Sequence, residues 1–305
     1  MKILIILVTY NGEKWLDKCI KTLYDIENVD FFVVDNNSKD DTVSHIKSKF
    51  PQVHLIESNF NLGFGQANNL GFEYAIKNNY DFVFLLNQDA SIDLENLSRL
   101  VTDYKNDSTI GILSPVHYQE ETQIENLFKF YLKDSSIDEV NVGQDKIVEA
   151  KFVNAALWLI SIENLIKIGG FNPLYFHYGE DVDYVNRVKY NNLLIKISLA
   201  AKGYHYRNYS KENFKKSFKK NRFFGPWNIK YYTILSNVNI SFLMVFISSA
   251  KLFAINFVKY LSKGYFHSAY MCLKVYLNIL KETKKIINNR EVIKRTNAPF
   301  LNLKN

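Results

Sequence analysis

The first half of the chain predicts an α/β fold, with a mostly parallel sheet and helices on both faces. Four short apolar runs have the character of buried strands, and the segments between them have the spacing of amphipathic helices. Strands that alternate with helices in this way pair in parallel. A basic region follows, so we divide the 305 residues into a sheet domain, 1–210, and a helical appendage, 211–305.

The predicted elements follow one another with short polar turns. Strands are expected at 3–8, 31–34, 53–58 and 82–86, and helices at 13–24, 42–50 and 66–77. Another strand is expected at 151–160, followed by a short helix at 162–168 that ends at two glycines. Between these parts, residues 117–149 are polar and irregular, which is typical of a mobile surface loop or a substrate loop.

Composition and charge narrow the class of protein. The 23 Phe and 20 Tyr exclude a disordered chain. Cys19 and Cys272 are far apart without metal-ligand spacing, which fits a reducing cytosol. Residues 1–202 carry 19 Lys and Arg against 28 Asp and Glu, whereas residues 203–305 carry 19 against 3. This asymmetry indicates a basic appendage that meets an anionic partner, either nucleic acid or a membrane face.

Polar residues follow the fourth predicted strand directly. Asn87, Gln88 and Asp89 come at its carboxyl end, the edge where open α/β sheets bind ligands. A carboxylate there can hold a hard divalent cation, which in turn can hold a diphosphate. Asp89 could equally cap the helix expected at 94–104. This stretch alone leaves both interpretations open.

A second acidic group follows the Gly169-Gly170 turn. Glu180, Asp181 and Asp183 lie within four residues, next to several aromatic residues. They could stabilise the amino end of a helix that begins at Glu180. A cap needs one acid, however, and aromatic surroundings raise a carboxyl pKa toward that of a useful base. The stretch therefore favours a functional role over capping.

The order of these motifs resembles that of the family 2 inverting glycosyltransferases of the GT-A fold. Neither a G-x-G-x-x-G turn nor a P-loop is present, since the first turn reads TYNGE. The resemblance covers residues 3–210 and rests on six stretches in order: ILVTYNGEKWLDKCIKTL, VVDNNSKDDT, NLGFGQANNLGFEYA, FLLNQDA, GGFNPLYFHYGEDVDYVNR and HYRNYS.

The resemblance implies a role for each matching residue. Near the nucleotide base, ribose and phosphates it places Thr9, Tyr10, Asn11, Asp35, Asn61, Gly63 and Asn68. The family's D-x-D motif reads Asn87-Gln88-Asp89 here, so Asp89 is the retained metal ligand and His205 a second one. Asp181 becomes the catalytic base with Glu180 beside it, while Asp183 and Arg187 support that helix and the acceptor pocket.

The implied metal is Mn²⁺ or Mg²⁺, and the imidazole of His205 favours Mn²⁺. Without the resemblance, His205 would be interpreted as a solvent-facing histidine between two tyrosines. Two departures stand out. Asn87 replaces an acid, in a variant familiar among rhamnosyltransferase-like members, and Asn154-Ala155-Ala156 stands where Gly-Ala is common, which narrows the donor pocket.

The appendage has the composition of a membrane-binding region. It begins with a run of lysines from Lys211 to Arg222, followed by twenty uncharged residues, 231–250. That length approaches a membrane span, but its Ser and Asn residues favour an interfacial helix. An ordinary helical subdomain is the alternative. Nucleic-acid binding is disfavoured, because no recognised module is present.

The sequence thus predicts an inverting transferase that moves a sugar from dTDP-rhamnose, or secondly a UDP-hexose, to a glycan or lipid-linked acceptor for cell-surface polysaccharide. It would be cytoplasmic and peripheral at the inner face of the cell membrane. The rival interpretation is a catalytically silent nucleotide-sugar-binding protein tethered by its basic tail. The sequence is also compatible with a homo-oligomer.

Overall fold

One mixed sheet organises the part of the chain that the computed structural model describes, residues 1–206 and 224–303. Its neighbour order is β3-β2-β1-β4-β8-β6-β9-β5, and β7 pairs with β9. The strands are β1 (Ile3–Thr9), β2 (Val29–Asp35), β3 (His54–Glu57), β4 (Phe82–Asn87), β5 (Ala90–Ser91), β6 (Ile110–Tyr118), β7 (Ile147–Glu149), β8 (Leu157–Ser161) and β9 (Leu194–His205).

The first four strands are parallel, as the sequence predicts. The sheet then changes direction, because β8 lies antiparallel to both β4 and β6, while β6 and β9 are parallel. Thr9 pairs with Asp35, and Val8 pairs with Asn87, so β1, β2 and β4 end at one edge. The predicted α/β fold is confirmed.

Helices cover both faces of the sheet. They are α1 (Leu16–Ile20), α2 (Thr42–Lys49), α3 (Phe64–Lys77), α4 (Leu94–Lys105), α5 (Asn126–Asp134), α6 (Ile162–Ile168) and α7 (Glu180–Tyr190). The alternating side chains of β4 divide between two cores, because Val83 and Leu85 pack under α3 and α7 while Phe84 and Leu86 pack under α1 and α4.

Three predicted elements differ from the observed ones. The helix expected at 13–24 is a 3₁₀ turn, Glu13–Trp15, followed by the five residues of α1. The strand expected at 151–160 begins only at Leu157, since its ladder with β4 starts at the Leu86–Leu157 pair. The segment expected to be irregular contains α5 and β7. Phe128, Tyr131 and Leu132 bury one face of α5, a short helical pattern among polar residues.

The appendage is helical, with α8 (Phe224–Ser236), α9 (Phe242–Ser262), α10 (Phe266–Lys281) and α11 (Thr283–Arg295). The uncharged stretch 231–250 is not one helix, which corrects the single interfacial helix expected there. Ser241 caps α9 through Met244 N, so a new helix starts within the stretch. The buried guanidinium of Arg290 donates to the carbonyls of Leu235, Asn237 and Ile240 and holds the break together.

These helices dock on the sheet domain through polar contacts. Tyr175 and Ser236 share a hydrogen bond of 2.8 Å between their hydroxyl oxygens, and Asn289 Nδ2 donates to Asn172 Oδ1 at 2.7 Å. The chain then returns to the Gly-Gly turn, where Gly170 N donates to Pro299 O at 2.8 Å. The appendage therefore contacts and stabilises the segment between the Gly-Gly turn and α7.

Helix α9 is long and apolar enough to cross a membrane, by length and composition, and no other helix among the described residues meets that test. Most of its surface is exposed, including Leu243, Ile247 and Val258. The predicted lysine run Lys211–Arg222 and the domain boundary at residue 210 lie outside the described residues.

Candidate active site

A cleft of about 240 Å³ opens at the carboxyl ends of β1 and β4. It brings together five predicted site residues from three parts of the chain. The residues that line it are Val8, Tyr10, Phe64, Asn87, Gln88, Asp89, Asn154, Ala155, His177, Tyr178, Glu180 and Asp181. The polar strand ends and the acidic start of α7 thus face a common space.

The turn after β1 is held by hydrogen bonds within the chain. Thr9 Oγ1 donates to Asp35 Oδ1 at 2.9 Å, and both groups are buried. Asp35 also accepts from Ser38 N at 2.8 Å. Asn11, at a φ of +48°, accepts from Lys39 N through its Oδ1. Tyr10 and Asn11 are both exposed, and Tyr10 lines the cleft.

Gln88 joins the turns after β1 and β4, a role that the sequence did not reveal. Its Oε1 accepts from Tyr10 N at 2.9 Å, and its Nε2 donates to Tyr10 O at 3.3 Å. A Cβ at Gly12 would lie 2.2 Å from the same Oε1. The pairing uses a long amide at position 88, and a side chain at position 12 would displace that amide. The pairing therefore links two turns at the mouth of the cleft.

The glycine-bearing turn before α3 shapes the cleft without lining it. Asn61 Oδ1 accepts from Gly63 N at 2.8 Å. Gly63 has a φ of +78°, and a Cβ there would meet Phe176 O at 2.2 Å. Asn68, expected near the donor, is buried inside α3 and donates to Phe64 O. Because Gly63 has no side chain, the loop before α7, which contains Phe176, can pack directly against the turn before α3.

Helix α7 is preceded by two consecutive residues in the left-handed region, Tyr178 (φ +69°) and Gly179 (φ +91°). Such strain at a non-glycine residue clusters at functional sites. The turn places Glu180 and Asp181 at the amino end of the helix and facing the cleft. The acidic group therefore has a position that helix capping alone does not require.

The two acids differ in their proton affinity. Burial, together with the charge of Asp181, raises the pKa of Glu180 to about 8. Desolvation in the cleft raises the pKa of Asp181 to about 6, against opposing backbone hydrogen bonds. Glu180 Oε2 is buried and has no hydrogen-bond partner among the described residues. At neutral pH, Asp181 is mostly ionised and Glu180 mostly protonated.

The third acid of α7 has a structural role. Arg187 Nε donates to Asp183 Oδ2 at 2.9 Å, and Arg187 Nη1 donates to Ile168 O at 2.7 Å. Both side chains are buried and neither lines the cleft. The pair supports the helix, as the sequence predicts, but does not reach the cleft where an acceptor pocket was expected.

Asp89 does not cap the following helix. Asp93 takes that role, since its side chain accepts from Asn96 N at 2.8 Å. Asp89 instead faces His205, which β5 brings close through the Ala90–His205 pair. The distance from Asp89 Oδ1 to His205 Nε2 is 3.5 Å, and Asp89 O accepts from Tyr206 N. The two predicted metal ligands are thus adjacent.

These two residues fit a divalent cation bound at the cleft. His205 Nε2 is buried and makes no hydrogen bond within the described part of the chain. A carboxylate oxygen and an imidazole nitrogen are ligands that Mn²⁺ accepts. Because Asp89 lines the cleft, the nitrogen and the oxygen converge beside it.

Behind His205 lies a buried pair that the sequence did not reveal, His117 and Glu125. Glu125 Oε2 is 3.2 Å from His205 Nδ1 and 3.8 Å from His117 Nδ1. Burial opposes ionisation, but the two histidines lower the pKa of Glu125 to about 2. Burial also opposes the charge of His205, whose pKa Asp89 and Glu125 nevertheless raise to about 9. Both residues fall in the segment expected to be loop, which carried no motif.

Two comparisons place this architecture among known proteins. Residues 4–157, half of the chain, match the family model "Glycosyl transferase family 2". The chain is 25% identical over 244 residues to the low-salt glycan biosynthesis hexosyltransferase Agl10 of Haloferax volcanii, which covers 74% of this chain and 75% of that protein.

Solved structures share the fold. TarS 1–349 of S. aureus in complex with UDP-GlcNAc superposes with a TM-score of 0.54 at 17% identity, over 80% of this chain and 69% of that one. GalNAc-T7 with UDP, GalNAc and Mn²⁺ gives 0.53 at 13% identity, and the match spans 77% of this chain but half of that protein. The chain belongs to glycosyl transferase family 2, and its fold is that of the GT-A glycosyltransferases.

Proposed function

We propose that the protein is an inverting glycosyltransferase that moves a sugar from a nucleoside diphosphate to a hydroxyl of a glycan or lipid-linked acceptor. One observation carries the proposal: Asp89 at the end of β4 and the Glu180–Asp181 pair at the start of α7 line the same cleft. A donor diphosphate near Asp89 would put its anomeric carbon between the two groups.

Asp181 is the base of the proposed reaction. Its pKa of about 6 leaves the carboxylate free to accept a proton at neutral pH. The acceptor hydroxyl loses its proton to Asp181, its oxygen bonds to the anomeric carbon, and the bond from that carbon to the diphosphate breaks. Glu180, with a pKa of about 8, is protonated under the same conditions and cannot compete as the base.

Asp89 and His205 would hold Mn²⁺ or Mg²⁺ at the diphosphate. When bound, such an ion neutralises the charge that develops on the leaving group. The nearby imidazole favours Mn²⁺. Asn87 contributes no charge, so Asp89 is the single carboxylate of this motif. The chain alone should therefore bind the ion weakly, and a bound nucleoside diphosphate should strengthen the binding.

For the donor, we favour dTDP-rhamnose first and a UDP-hexose second. The Asn87-Gln88-Asp89 variant supports the first choice through its resemblance to rhamnosyltransferase-like members. The second is supported by the UDP and UDP-GlcNAc bound in the structural neighbours. The catalytically silent alternative leaves unexplained why two acids of different proton affinity face the cleft.

A thermal-shift screen of nucleoside diphosphate sugars with Mn²⁺ tests the proposal. We expect one donor family to raise the melting temperature by several degrees, and more with Mn²⁺ than with EDTA. The same donors should then be consumed by the enzyme with release of the nucleoside diphosphate. No shift with any donor, with or without the ion, would contradict a nucleotide-sugar site.

We also propose that the helical appendage lies on the anionic inner face of the cell membrane. Leu243, Ile247 and Val258 are more than half exposed on one side of α9, and Phe266, the first residue of α10, is also more than half exposed. Lys251 is exposed within the same side, where a spanning helix would bury its charge at high cost. Apolar contact and lysine charge together suit an interfacial position.

Cosedimentation with vesicles tests this location. The protein should pellet with phosphatidylglycerol vesicles and remain in the supernatant with phosphatidylcholine vesicles at moderate salt. The double variant Ile247→Glu/Val258→Glu should stay soluble while its melting temperature is preserved, because both side chains are exposed. A wild-type protein that stays soluble with anionic vesicles at low salt would contradict the assignment.

A further inference from the structure

Glu125 is a buried carboxylate in an unusual position. It occupies the N-cap of α5, yet its side chain makes no capping hydrogen bond. Instead, the carboxylate turns inward toward His205 and His117, and all three side chains are at most 1% exposed. A buried charge is expensive unless it is paired. The cost indicates that these contacts serve a purpose beyond starting a helix.

Strand β6 holds Glu125 in place. Glu125 N donates to His117 O at 2.9 Å, which fixes the backbone of the carboxylate beside the strand. His117 Nε2 lies 3.0 Å from Ser114 Oγ, and the ring of Phe128 lies 4.4 Å from the imidazole ring. Because strand and helix contacts lock both residues, the carboxylate has little freedom to turn away from His205.

The geometry determines which nitrogen of His205 keeps its proton when a cation binds. The contact of 3.2 Å from Glu125 Oε2 to His205 Nδ1 is a hydrogen bond when Nδ1 donates. A cation that binds at Nε2 replaces the proton there, and the ring is then neutral with its remaining proton on Nδ1. Nε2 lies 3.5 Å from Asp89 Oδ1, so the nitrogen and the carboxylate oxygen are close enough to share one cation.

We propose that Glu125, locked by His117, is the positioning residue that fixes the ring and tautomer of His205, so that Nε2 is presented to the divalent ion beside Asp89. The proposal rests on the metal site of the proposed function. Metal-bound histidines commonly donate their second N–H to a carboxylate, and loss of that partner weakens metal binding by about 10- to 100-fold. The chain Ser114–His117–Glu125 therefore connects the interior of β6 to the cleft.

One other arrangement of the same residues is distinguishable. His117, Glu125 and His205 offer ligand atoms within 4.8 Å of one another and could enclose an ion of their own. That ion would take Nδ1 of His205 and turn an N–H at Nε2 toward Asp89. The buried ion and the cleft ion thus require opposite tautomers of His205.

The test titrates Mn²⁺ in the presence of saturating UDP or dTDP and follows free Mn²⁺ by its EPR signal. Glu125→Gln, which keeps the size of the side chain, should raise the dissociation constant about 10- to 100-fold. Nucleotide affinity in EDTA should stay within about twofold, a separation that general unfolding would not produce. Glu149→Gln, an exposed glutamate on β7, is the matched control and should bind as wild type.

The variants separate two failures. If Asp89→Asn loses Mn²⁺ and Glu125→Gln keeps wild-type affinity, the positioning role is wrong and the proposed metal site stands. If wild type and Asp89→Asn bind Mn²⁺ alike, or wild type binds none with either nucleotide, the metal site is wrong and the positioning role falls with it.

A measurement on wild type avoids the risk that Glu125→Gln does not fold. Histidine ¹⁵N NMR with Mg²⁺ and the nucleotide should show His205 protonated at Nδ1 and unprotonated at Nε2. A proton at Nε2 overturns the proposal. So does a stoichiometric metal in the nucleotide-free protein that His117→Phe removes, because it assigns the ion to the buried cluster.

Discussion

Two acidic regions near the cleft, one at the end of β2 and one at the start of α7, differ in how their carboxylates are paired. At the end of β2, Asp35 is buried but receives hydrogen bonds from Thr9 and Ser38. At the start of α7, Glu180 Oε2 is buried without a partner among the described residues, and burial raises the pKa values of Glu180 and Asp181. The hydrogen-bonded Asp35 stabilises a loop, whereas Glu180 and Asp181 have raised pKa values that suit proton transfer near neutral pH.

Helix α7 repeats the contrast within a single turn. Asp183 is deeper than Asp181, but Arg187 and Asn172 satisfy its two oxygens. The acids that face the cleft have no such cation among the residues that the structure describes. A paired acid contributes to stability, while an unpaired one reduces stability and retains reactivity. This difference, more than acid content, identifies the reactive end of the cleft.

The largest expected effect is that of Asp181→Asn. Loss of a general base should lower kcat by about 10²- to 10⁴-fold while the donor still binds, because the amide keeps the shape of the side chain. For wild type, kcat/KM should rise with pH and level off above an apparent pKa of about 6, since the ionised carboxylate is the active form. Steady-state kinetics across pH and donor titration by calorimetry measure both.

Asp134→Asn is the matched control for that variant, since Asp134 is exposed at the end of α5. It should retain wild-type kcat and the same pH profile. Turnover by Asp181→Asn within about threefold of wild type would show that Asp181 is not the base. The different pairing of Asp35 and of the acids of α7 would then have no link to catalysis.

A smaller effect is expected for Glu180→Gln, and it should depend on pH. Because folding raises the pKa of Glu180 from 4.5 to about 8, the folded state binds more protons between these values, and stability falls as pH rises. Glu180→Gln removes the ionisable group and with it this loss of stability. Relative to wild type, the free energy of unfolding of the variant should increase by at most about 1.4 kcal/mol per pH unit between pH 4.5 and about 8, and should change little below pH 4. Urea unfolding at pH 4, 6 and 8 measures the difference; equal gains at all three pH values would contradict it.

The smallest effect is expected around Asp35, whose carboxylate accepts hydrogen bonds from Thr9 and Ser38. Thr9→Val removes one hydrogen bond to the buried Asp35 and should lower the free energy of unfolding by about 1–2 kcal/mol. Ser38→Ala, which removes the other hydroxyl, should act in the same direction. Denaturant unfolding at pH 7 measures both. A variant as stable as wild type would show that Asp35 does not depend on these donors.

The sequence predicted the elements whose signals are local. The first four strands each combine an apolar run with a polar stop, and the helix at Ile162–Ile168 has both its Ser161 cap and its glycine end in the sequence. Helix α7 begins at Glu180, where the group of three acids suggested the amino end of a helix. These features need few contacts with distant residues.

What the sequence missed depends on distant contacts. Strand β7 exists because it pairs with β9, some fifty residues later, and β8 starts where β4 can pair with it. The role of Glu125 depends on its contact with His205, eighty residues later in the chain. In the sequence, Glu125 is one of many polar residues in its segment and does not stand out. The break in the uncharged stretch is held by Arg290, from another helix. Periodicity alone contains none of this information.

The anomeric configuration of the first product formed from a turned-over donor tests the inverting mechanism most directly. The enzyme, Mg²⁺ and the nucleoside diphosphate sugar that gives the largest thermal shift are followed by ¹H NMR, with water or the acceptor as nucleophile. If Asp181 is the base of an inverting transfer, the sugar first appears with inverted configuration, before mutarotation, and Asp181→Asn forms none. Retained configuration, or no turnover of any donor that binds, would contradict it.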